Sequence, residues 1–146
     1  CGARGPRPAA VLALHSSVAI AALTRTHPAH ASARKWLAER PSLPAHAAVE
    51  TYSALPRLRE PHHVDADVAS ELIDRVFEGR VLPSMTPTRL VAWLKRMASE
   101  GISGGAIFDA LIAESARTAG ATLVTGDARA AETYRRVGVE VELLTD

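Results

Sequence analysis

The chain has 146 residues, of which 47% are hydrophobic and 23% charged, so it suits one globular domain and is not a disordered chain. Its formal charge is +1, which predicts neither a general nucleic-acid binder nor an enzyme for acidic substrates; any attraction for phosphate has to be local. The single cysteine, Cys1, excludes an internal disulfide and a thiolate metal cluster, and it favours a cytoplasmic location.

Residues 1–10 are rich in Gly and Pro and predict a flexible leader, either a cloning remnant or an upstream extension. A single domain over 11–146 is expected to follow. No stretch is apolar over the roughly 18 to 20 residues that a membrane span needs, so no membrane partner is expected.

Apolar runs and apolar residues at helical spacing predict alternating strands and helices along the domain. In chain order these are strand 11–14, helix 18–23, helix 30–39, strand 43–45, helix 47–55, helix 64–78, strand 80–83, helix 86–100, helix 103–118, strand 121–125, helix 127–136 and strand 139–143. The alternation predicts an α/β sandwich with a short, mostly parallel sheet flanked by helices. Functional sites of such folds form at the carboxyl ends of strands, where His15 and Asp127 both fall.

Three carboxylates stand beside or inside apolar runs. Glu50 follows Ala-Ala-Val, Asp109 interrupts an apolar helix, and Asp127 follows an apolar strand by way of Thr-Gly. Removing water from an isolated charge is costly, so the three together favour a bound cation. Oxygen donors of this kind suit Mg²⁺ or Mn²⁺.

Each carboxylate also has a structural explanation when it is taken alone. Asp109 lies near a helix N-terminus, where the helix dipole stabilises an anion. Asp127 opens a helix and suits an N-cap. Glu50 is a good helix former that fits a solvated face. The apolar surroundings of Asp109 argue against the dipole as its whole explanation, whereas for Asp127 alone the cap is the better account.

Four segments together resemble the signature segments of PIN-domain nucleases, in the same order and spacing. They are 14–20 (LHSSVAI), 49–55 (VETYSAL), 104–113 (GGAIFDALIA) and 123–129 (LVTGDAR). The chain is most similar to the VapC-type toxins of toxin-antitoxin pairs, which are small metal-dependent endoribonucleases, and the resemblance runs from Val11 to the end. It implies a PIN-like three-layer sandwich.

The resemblance also implies a site in which acidic residues hold Mg²⁺ or Mn²⁺ between an RNA phosphate and an attacking water. Glu50, Asp109 and Asp127 match family acids and are expected to be catalytic and to bind the metal. His15 stands where the family carries its first Asp, normally a principal metal ligand. Arg129, two residues past a site acid, is the arginine favoured for contacting RNA; other basic residues suit solvated helix faces equally well.

The His15 position predicts weaker ion binding, because imidazole removes a negative charge and offers nitrogen, which Mg²⁺ accepts poorly. An inactivating change and natural divergence both explain this residue, and so, for the residue alone, does an ordinary hydrogen-bonded histidine at a strand end.

The resemblance further implies an antitoxin partner lying across the early helices, and a homodimer. The apolar residues of 18–23 and 36–37 suit either of these contacts or the core. A competing hypothesis is a non-catalytic PIN-fold module that binds antitoxin or RNA. A phosphatase of another α/β family is less favoured, because His-Ser-Ser after the first strand supplies no Asp nucleophile.

Overall fold

The computed structural model describes residues 11–145, so the leader expected at 1–10 lies outside the described residues. Within the described range the chain forms alternating strands and helices. They are β1 (Leu12–Leu14), α1 (Ser16–Leu23), α2 (His30–Leu37), β2 (Leu43–Pro44), α3 (Ala45–Ala54), α4 (Ala66–Val76), β3 (Val81–Leu82), α5 (Pro87–Ser99), α6 (Ala106–Thr118), β4 (Thr122–Thr125), α7 (Ala131–Val137) and β5 (Val141–Leu143). Short 3₁₀ turns at Leu55–Arg57 and Ala128–Ala130 follow α3 and precede α7.

All strand pairs are parallel, which confirms the predicted α/β class. β4 lies between β1 and β5, and β2 pairs with β3. A bridge between Ala13 and Ser42 joins the two groups, since the Leu14 N–H donates to the Ser42 carbonyl at 2.9 Å. The resulting spatial order is β3-β2-β1-β4-β5.

This strand order places a crevice beside the carboxyl ends of β1 and β4. The chain runs outward from β1 in one direction to β2 and β3, and in the other to β4 and β5. In open parallel sheets, ligands bind where the strand order reverses in this way. His15 follows β1 directly and Asp127 lies two residues beyond β4.

The core lies between this sheet and the helices that flank it. Leu14, Leu123 and Val124 of the central strands are fully buried, as are Val18 of α1 and Ile112 of α6. α1 packs on α2 and α3, and α6 packs on α7. The buried face of α1, formed by Val18, Ala19, Ala21 and Ala22, therefore belongs to the core.

The largest difference from the predicted elements is the start of α7, which begins at Ala131 and not at Asp127, because Asp127 caps the intervening 3₁₀ turn. α6 begins at Ala106 and not at 103, and its Phe108 is 51% exposed. Among residues 11–145, no helix is both long and apolar enough to cross a bilayer.

Candidate functional site

His15 caps the helix that follows the first strand. Its Nδ1 accepts a hydrogen bond from the Ser17 backbone N–H at 3.1 Å. The Ser17 hydroxyl lies 2.9 Å from the same nitrogen and itself accepts from the Gly126 N–H at 2.9 Å. The imidazole thus occupies the capping place that a short acidic side chain commonly takes at a helix N-terminus.

These contacts determine the tautomer of His15. A backbone N–H can only donate, so Nδ1 carries a lone pair and the ring proton is on Nε2. Nε2–H then donates to Oδ1 of Asp109 at 2.9 Å. His15 is 5% exposed, so the imidazole end of this bond is shielded from water. In this arrangement neither ring nitrogen offers a free lone pair to a cation.

Asp109 comes from the first turn of α6. Its position next to the helix N-terminus agrees with the dipole explanation, but the carboxylate also reaches across the crevice to His15 at the end of β1. The side chain of Asp109 is 27% exposed. It is therefore both anchored by a neighbour and open to a ligand.

Asp127 is held by the backbone of the loop that follows β4. Its Oδ1 accepts from the Arg129 N–H at 3.0 Å, and its own N–H donates to the Thr125 hydroxyl at 3.1 Å. The N-cap explanation for Asp127 therefore accounts for one of its two carboxylate oxygens, Oδ1. The side chain of Arg129 is 96% exposed, with Nε 3.5 Å from Asp127.

Glu50 lies in the middle of α3 and is half-buried. Its Oε1 has no accessible surface and no hydrogen-bond partner among the described residues. His46, one helical turn earlier, places Nε2 3.4 Å from this atom without the alignment of a hydrogen bond. A buried carboxylate oxygen that lacks a donor needs a compensating positive group.

Tyr134 of α7 is buried beside His15, and the charges of the three carboxylates act on it. The side chain is 1% exposed, its hydroxyl lies 3.3 Å from Thr125 Oγ1, and its ring centroid lies 6.2 Å from that of His15. Burial raises the pKa of Tyr134, and the charges of Asp109, Asp127 and Glu50 raise it further. The three acids therefore share one electrostatic neighbourhood, although they come from three separate elements.

The carboxylate donors near Tyr134 are of the chemical kind that a divalent cation needs. Glu50, Asp109 and Asp127 supply the hard oxygen atoms that Mg²⁺ and Mn²⁺ prefer, and the orphaned oxygen of Glu50 fits a missing positive partner. Within residues 11–145, no group of three His, Cys, Asp or Glu side chains is close enough to hold an ion in the present arrangement. The carboxylates thus fit a cation in chemistry, while His15 is engaged as a hydrogen-bond donor.

Two buried side chains, Tyr134 of α7 and Glu114 of α6, were not predicted from the sequence. Tyr134 follows Ala130 and precedes Val137 at spacings of four and three, a pattern that predicts its burial. Glu114 of α6 is 3% exposed and accepts from the Arg117 Nε at 3.0 Å. A glutamate is not expected to be buried from its residue type alone. The only sequence signal is Arg117, which is three residues further along the same helix and can therefore pair with it.

The chain is similar to known proteins over most of its length. The family described as PIN domain matches residues 13–136. A protein named Ribonuclease VapC27, from Mycobacterium tuberculosis (strain ATCC 25618 / H37Rv), is 43% identical over 132 residues, covering 89% of this chain and 94% of the relative. Ribonuclease VapC40 from M. tuberculosis (strain CDC 1551 / Oshkosh) is 37% identical over 135 residues, covering 92% of this chain and all of the relative.

Two solved structures share the fold. One, titled as a structure of FitAB bound to IR36 DNA fragment, has a TM-score of 0.61 and 21% identity over 91% of this chain and 94% of its own. The other, titled as FitAcB from Neisseria gonorrhoeae, has a TM-score of 0.61 and 20% identity over 90% of this chain and 96% of its own. At these identities the likeness concerns the fold alone.

Proposed function

The chain belongs to the PIN-domain family, and from this premise we propose that it is a metal-dependent endoribonuclease toxin of the VapC type. The observation that carries the proposal is the placement of the acids: Asp109 is hydrogen-bonded to His15 at the end of β1, Asp127 lies two residues beyond β4, and Glu50 has a buried oxygen without a hydrogen-bond partner. The relatives named ribonuclease, at 43% and 37% identity, support RNA as the substrate.

In the proposed reaction, water attacks the phosphorus of an RNA phosphodiester and the ribose oxygen leaves. Glu50, Asp109 and Asp127 are the residues that would hold a Mg²⁺ or Mn²⁺ ion. When bound, such an ion lowers the pKa of its water and neutralises charge on the phosphate. Two of the three carboxylates are held by neighbours: Asp109 accepts a hydrogen bond from His15, and Asp127 accepts one from the Arg129 N–H. Tyr134 stays protonated, since burial raises its pKa, and does not serve as the base.

His15 weakens this proposed site in two ways. It replaces a negative charge with a neutral ring, and it commits Asp109 Oδ1 to a hydrogen bond that an ion would have to displace. We therefore assign the chain a lower affinity for the ion, and slower cleavage, than the same chain with Asp at this position.

The test is RNA cleavage with Mg²⁺ or Mn²⁺, comparing the parent chain, His15→Asp, and His15→Asp combined with Asp109→Asn. Cleavage that rises with the first change and disappears with the second supports the proposal. If His15→Asp gives no gain and Asp109→Asn changes nothing, the nuclease mechanism is wrong for this chain.

The hydrogen bond between His15 and Asp109 also favours a second candidate, a non-catalytic module that keeps the fold and binds antitoxin or RNA. A site closed by its own hydrogen bond has less need of a cation. Calorimetric titration separates the two candidates. Tight binding of RNA or peptide that is indifferent to Mn²⁺, without turnover, favours the module.

We further propose an antitoxin partner, a homodimer and action in the cytoplasm, where the proposed RNA substrate is found. Membership of the VapC type supports the antitoxin. For pairing of two copies, α5 offers an exposed apolar surface formed by Leu90, Val91 and Leu94. Light scattering with and without a change of Leu94 to Glu tests the dimer, which we expect the charge to weaken.

A further inference from the structure

A cavity beside the acidic site lies between α3 and α6. Its volume is about 410 Å³, and its walls include His46, Glu50, Ser53, Arg57 and Phe108. Glu50 belongs both to this cavity and to the neighbourhood of Tyr134. The cavity is therefore lined by one of the three acids that are proposed to hold the ion.

The wall of this cavity carries a pair of parallel rings. The imidazole of His46 and the ring of Phe108 have centroids 5.5 Å apart and planes inclined by 8°. Phe108 is 51% exposed, although the following residues Ala110, Ile112 and Ala113 of its helix are fully buried. Exposing a phenyl ring to water is unfavourable. The Phe108 ring nevertheless stays at the surface, stacked on His46, and is not packed into the core.

The cavity also contains a positive charge. Arg57, in the 3₁₀ turn after α3, lines the same cavity as the two rings. It lies outside the ion pairs found among the described residues. An arginine guanidinium suits bidentate contact with a phosphate.

We propose that this cavity is a subsite for one base of single-stranded RNA, which stacks on the His46–Phe108 ring pair while Arg57 contacts a phosphate next to it. The inference rests on the proposed function and adds to it the way in which the substrate is held. Bases of unpaired RNA are bound chiefly by stacking on aromatic side chains, and every base has a face that can stack.

Charge and shape favour RNA over a protein segment as the occupant. A peptide anchor fills an apolar pocket with side-chain volume, and any aliphatic lining serves it. Two aliphatic residues, Val49 and Ala54, also line this cavity, but it combines with them planar rings, a cation and the carboxylate of Glu50. That combination matches the base, the phosphate and the ion that a nucleotide at the cleavage site brings together.

The chain offers an internal control for a direct test, because it contains only two phenylalanines. Phe77 is fully buried, whereas Phe108 is exposed. In protein labelled with 4-fluorophenylalanine, short oligoadenylate added without divalent ions is expected to shift the ¹⁹F resonance of Phe108 and to leave that of Phe77 unchanged. An abasic oligomer with the same phosphates is expected to shift neither. Equal shifts from both oligomers would overturn the subsite.

Matched variants test the stacking itself through fluorescence anisotropy with the same oligoadenylate. Phe108→Leu keeps the apolar character but loses the ring, and is expected to weaken binding by roughly fivefold to a hundredfold. Phe108→Tyr is expected to bind like the parent. Tyr52→Leu, which removes an exposed aromatic residue of α3 outside the cavity walls, is the control and is expected to have no effect.

The outcomes separate this inference from the function on which it rests. If Phe108→Leu binds oligoadenylate as tightly as the parent, the cavity is not a base subsite, and cleavage by His15→Asp still decides the nuclease. If binding depends on the ring at position 108 but no variant cleaves RNA, the subsite stands and the nuclease fails.

Discussion

The Nε2–H of His15 donates a hydrogen bond to Asp109 Oδ1 over 2.9 Å and joins the end of β1 to the first turn of α6. The proton on Nε2 follows from the Ser17 N–H, which occupies the other ring nitrogen. His15, which stands at a proposed metal-ligand position, thus donates a hydrogen bond to Asp109. The partner of the Asp109 carboxylate is therefore a ring without a full charge.

His15→Asp is expected to change both stability and ion binding. Aspartate can still cap α1 through the Ser17 N–H, but it places a second negative charge beside Asp109, so we expect a loss of about 1–2 kcal/mol without an ion. Added Mn²⁺ should then stabilise the variant more than the parent, because it binds the folded state. Thermal unfolding with and without Mn²⁺ measures both effects.

His15→Asn is the matched control for this change, since it keeps a capping oxygen and adds no charge. A response of the Asn variant to Mn²⁺ as large as that of the Asp variant would contradict the expected role of charge. Cleavage of RNA is expected to increase at least about tenfold for His15→Asp and not for His15→Asn.

Asp109→Asn, made in the His15→Asp background, should remove cleavage while leaving the fold intact. The amide oxygen retains the shape of the carboxylate, so the free energy of unfolding is expected to change by about 1 kcal/mol or less. Loss of the charge is expected to lower the cleavage rate by about a hundredfold or more. Asp67→Asn, on an exposed position of α4, is the control, and an equal loss from it would point to a general charge effect.

Arg117 is expected to stabilise the fold through the buried Glu114. The carboxylate of Glu114 is 4% exposed and accepts two bonds from this guanidinium, while Arg96 lies 4.0 Å away. Arg117→Met leaves a buried charge with only a distant partner, so we expect a loss of about 1–3 kcal/mol in urea unfolding. Arg75→Met, whose pair with Glu71 is exposed, should cost about 0.5 kcal/mol or less. Similar losses from both would contradict the role of burial.

Tyr134 predicts a loss of stability in alkali. Burial raises the pKa of its hydroxyl above the ordinary value of 10.0, and Asp109, Asp127 and Glu50 raise it further. Below pH of about 10 both states keep the proton and stability is full; above it only the unfolded state ionises, so stability falls by up to about 1.4 kcal/mol per pH unit until the folded pKa is reached.

Tyr134→Phe removes this titration. At neutral pH it should cost about 1 kcal/mol, because the hydrogen bond with Thr125 is lost. The difference between the two proteins should shrink and then reverse as the pH rises above about 10. Parallel curves of unfolding free energy against pH, from urea titrations, would contradict the assignment.

Arg129→Ala is expected to weaken RNA binding without changing stability. The side chain is 96% exposed, so unfolding should change by about 0.5 kcal/mol or less. If Arg129 contacts one phosphate, the slope of log affinity against log salt should fall by about 0.7. Arg75→Ala serves as control; a variant at 129 that keeps the parent slope would exclude the contact.

The sequence predicts the strands and their ends well, because short β-branched and aliphatic runs are ended by polar residues. β4 is an example, since Thr122–Thr125 matches the predicted run 121–125 within one residue. The start of α7 was predicted too early because a cap and a 3₁₀ turn use the same residue types as a helix start. The fold class follows from the alternation, whereas the assignment of Glu50, Asp109 and Asp127 to one metal site comes from the motif resemblance and stays a prediction.

The orientation of His15 was beyond sequence reasoning, because it depends on contacts made after folding. The tautomer is determined by Ser17, and Ser17 in turn is held by the Gly126 N–H from a loop 109 residues away in sequence. Likewise, the parallel stacking of His46 on Phe108 needs α3 and α6 side by side. Pattern and spacing describe one element at a time and cannot supply such pairs.

The hydroxyl of Ser17 has a mechanical consequence. It accepts from the Gly126 N–H and contacts the His15 ring, and thereby ties together the two loops that carry His15 and Asp127. Anything that displaces the imidazole must therefore also disturb the hydrogen bond of the Thr125–Gly126 peptide unit. Exchange of a single amide hydrogen, at position 126, would then report events at His15.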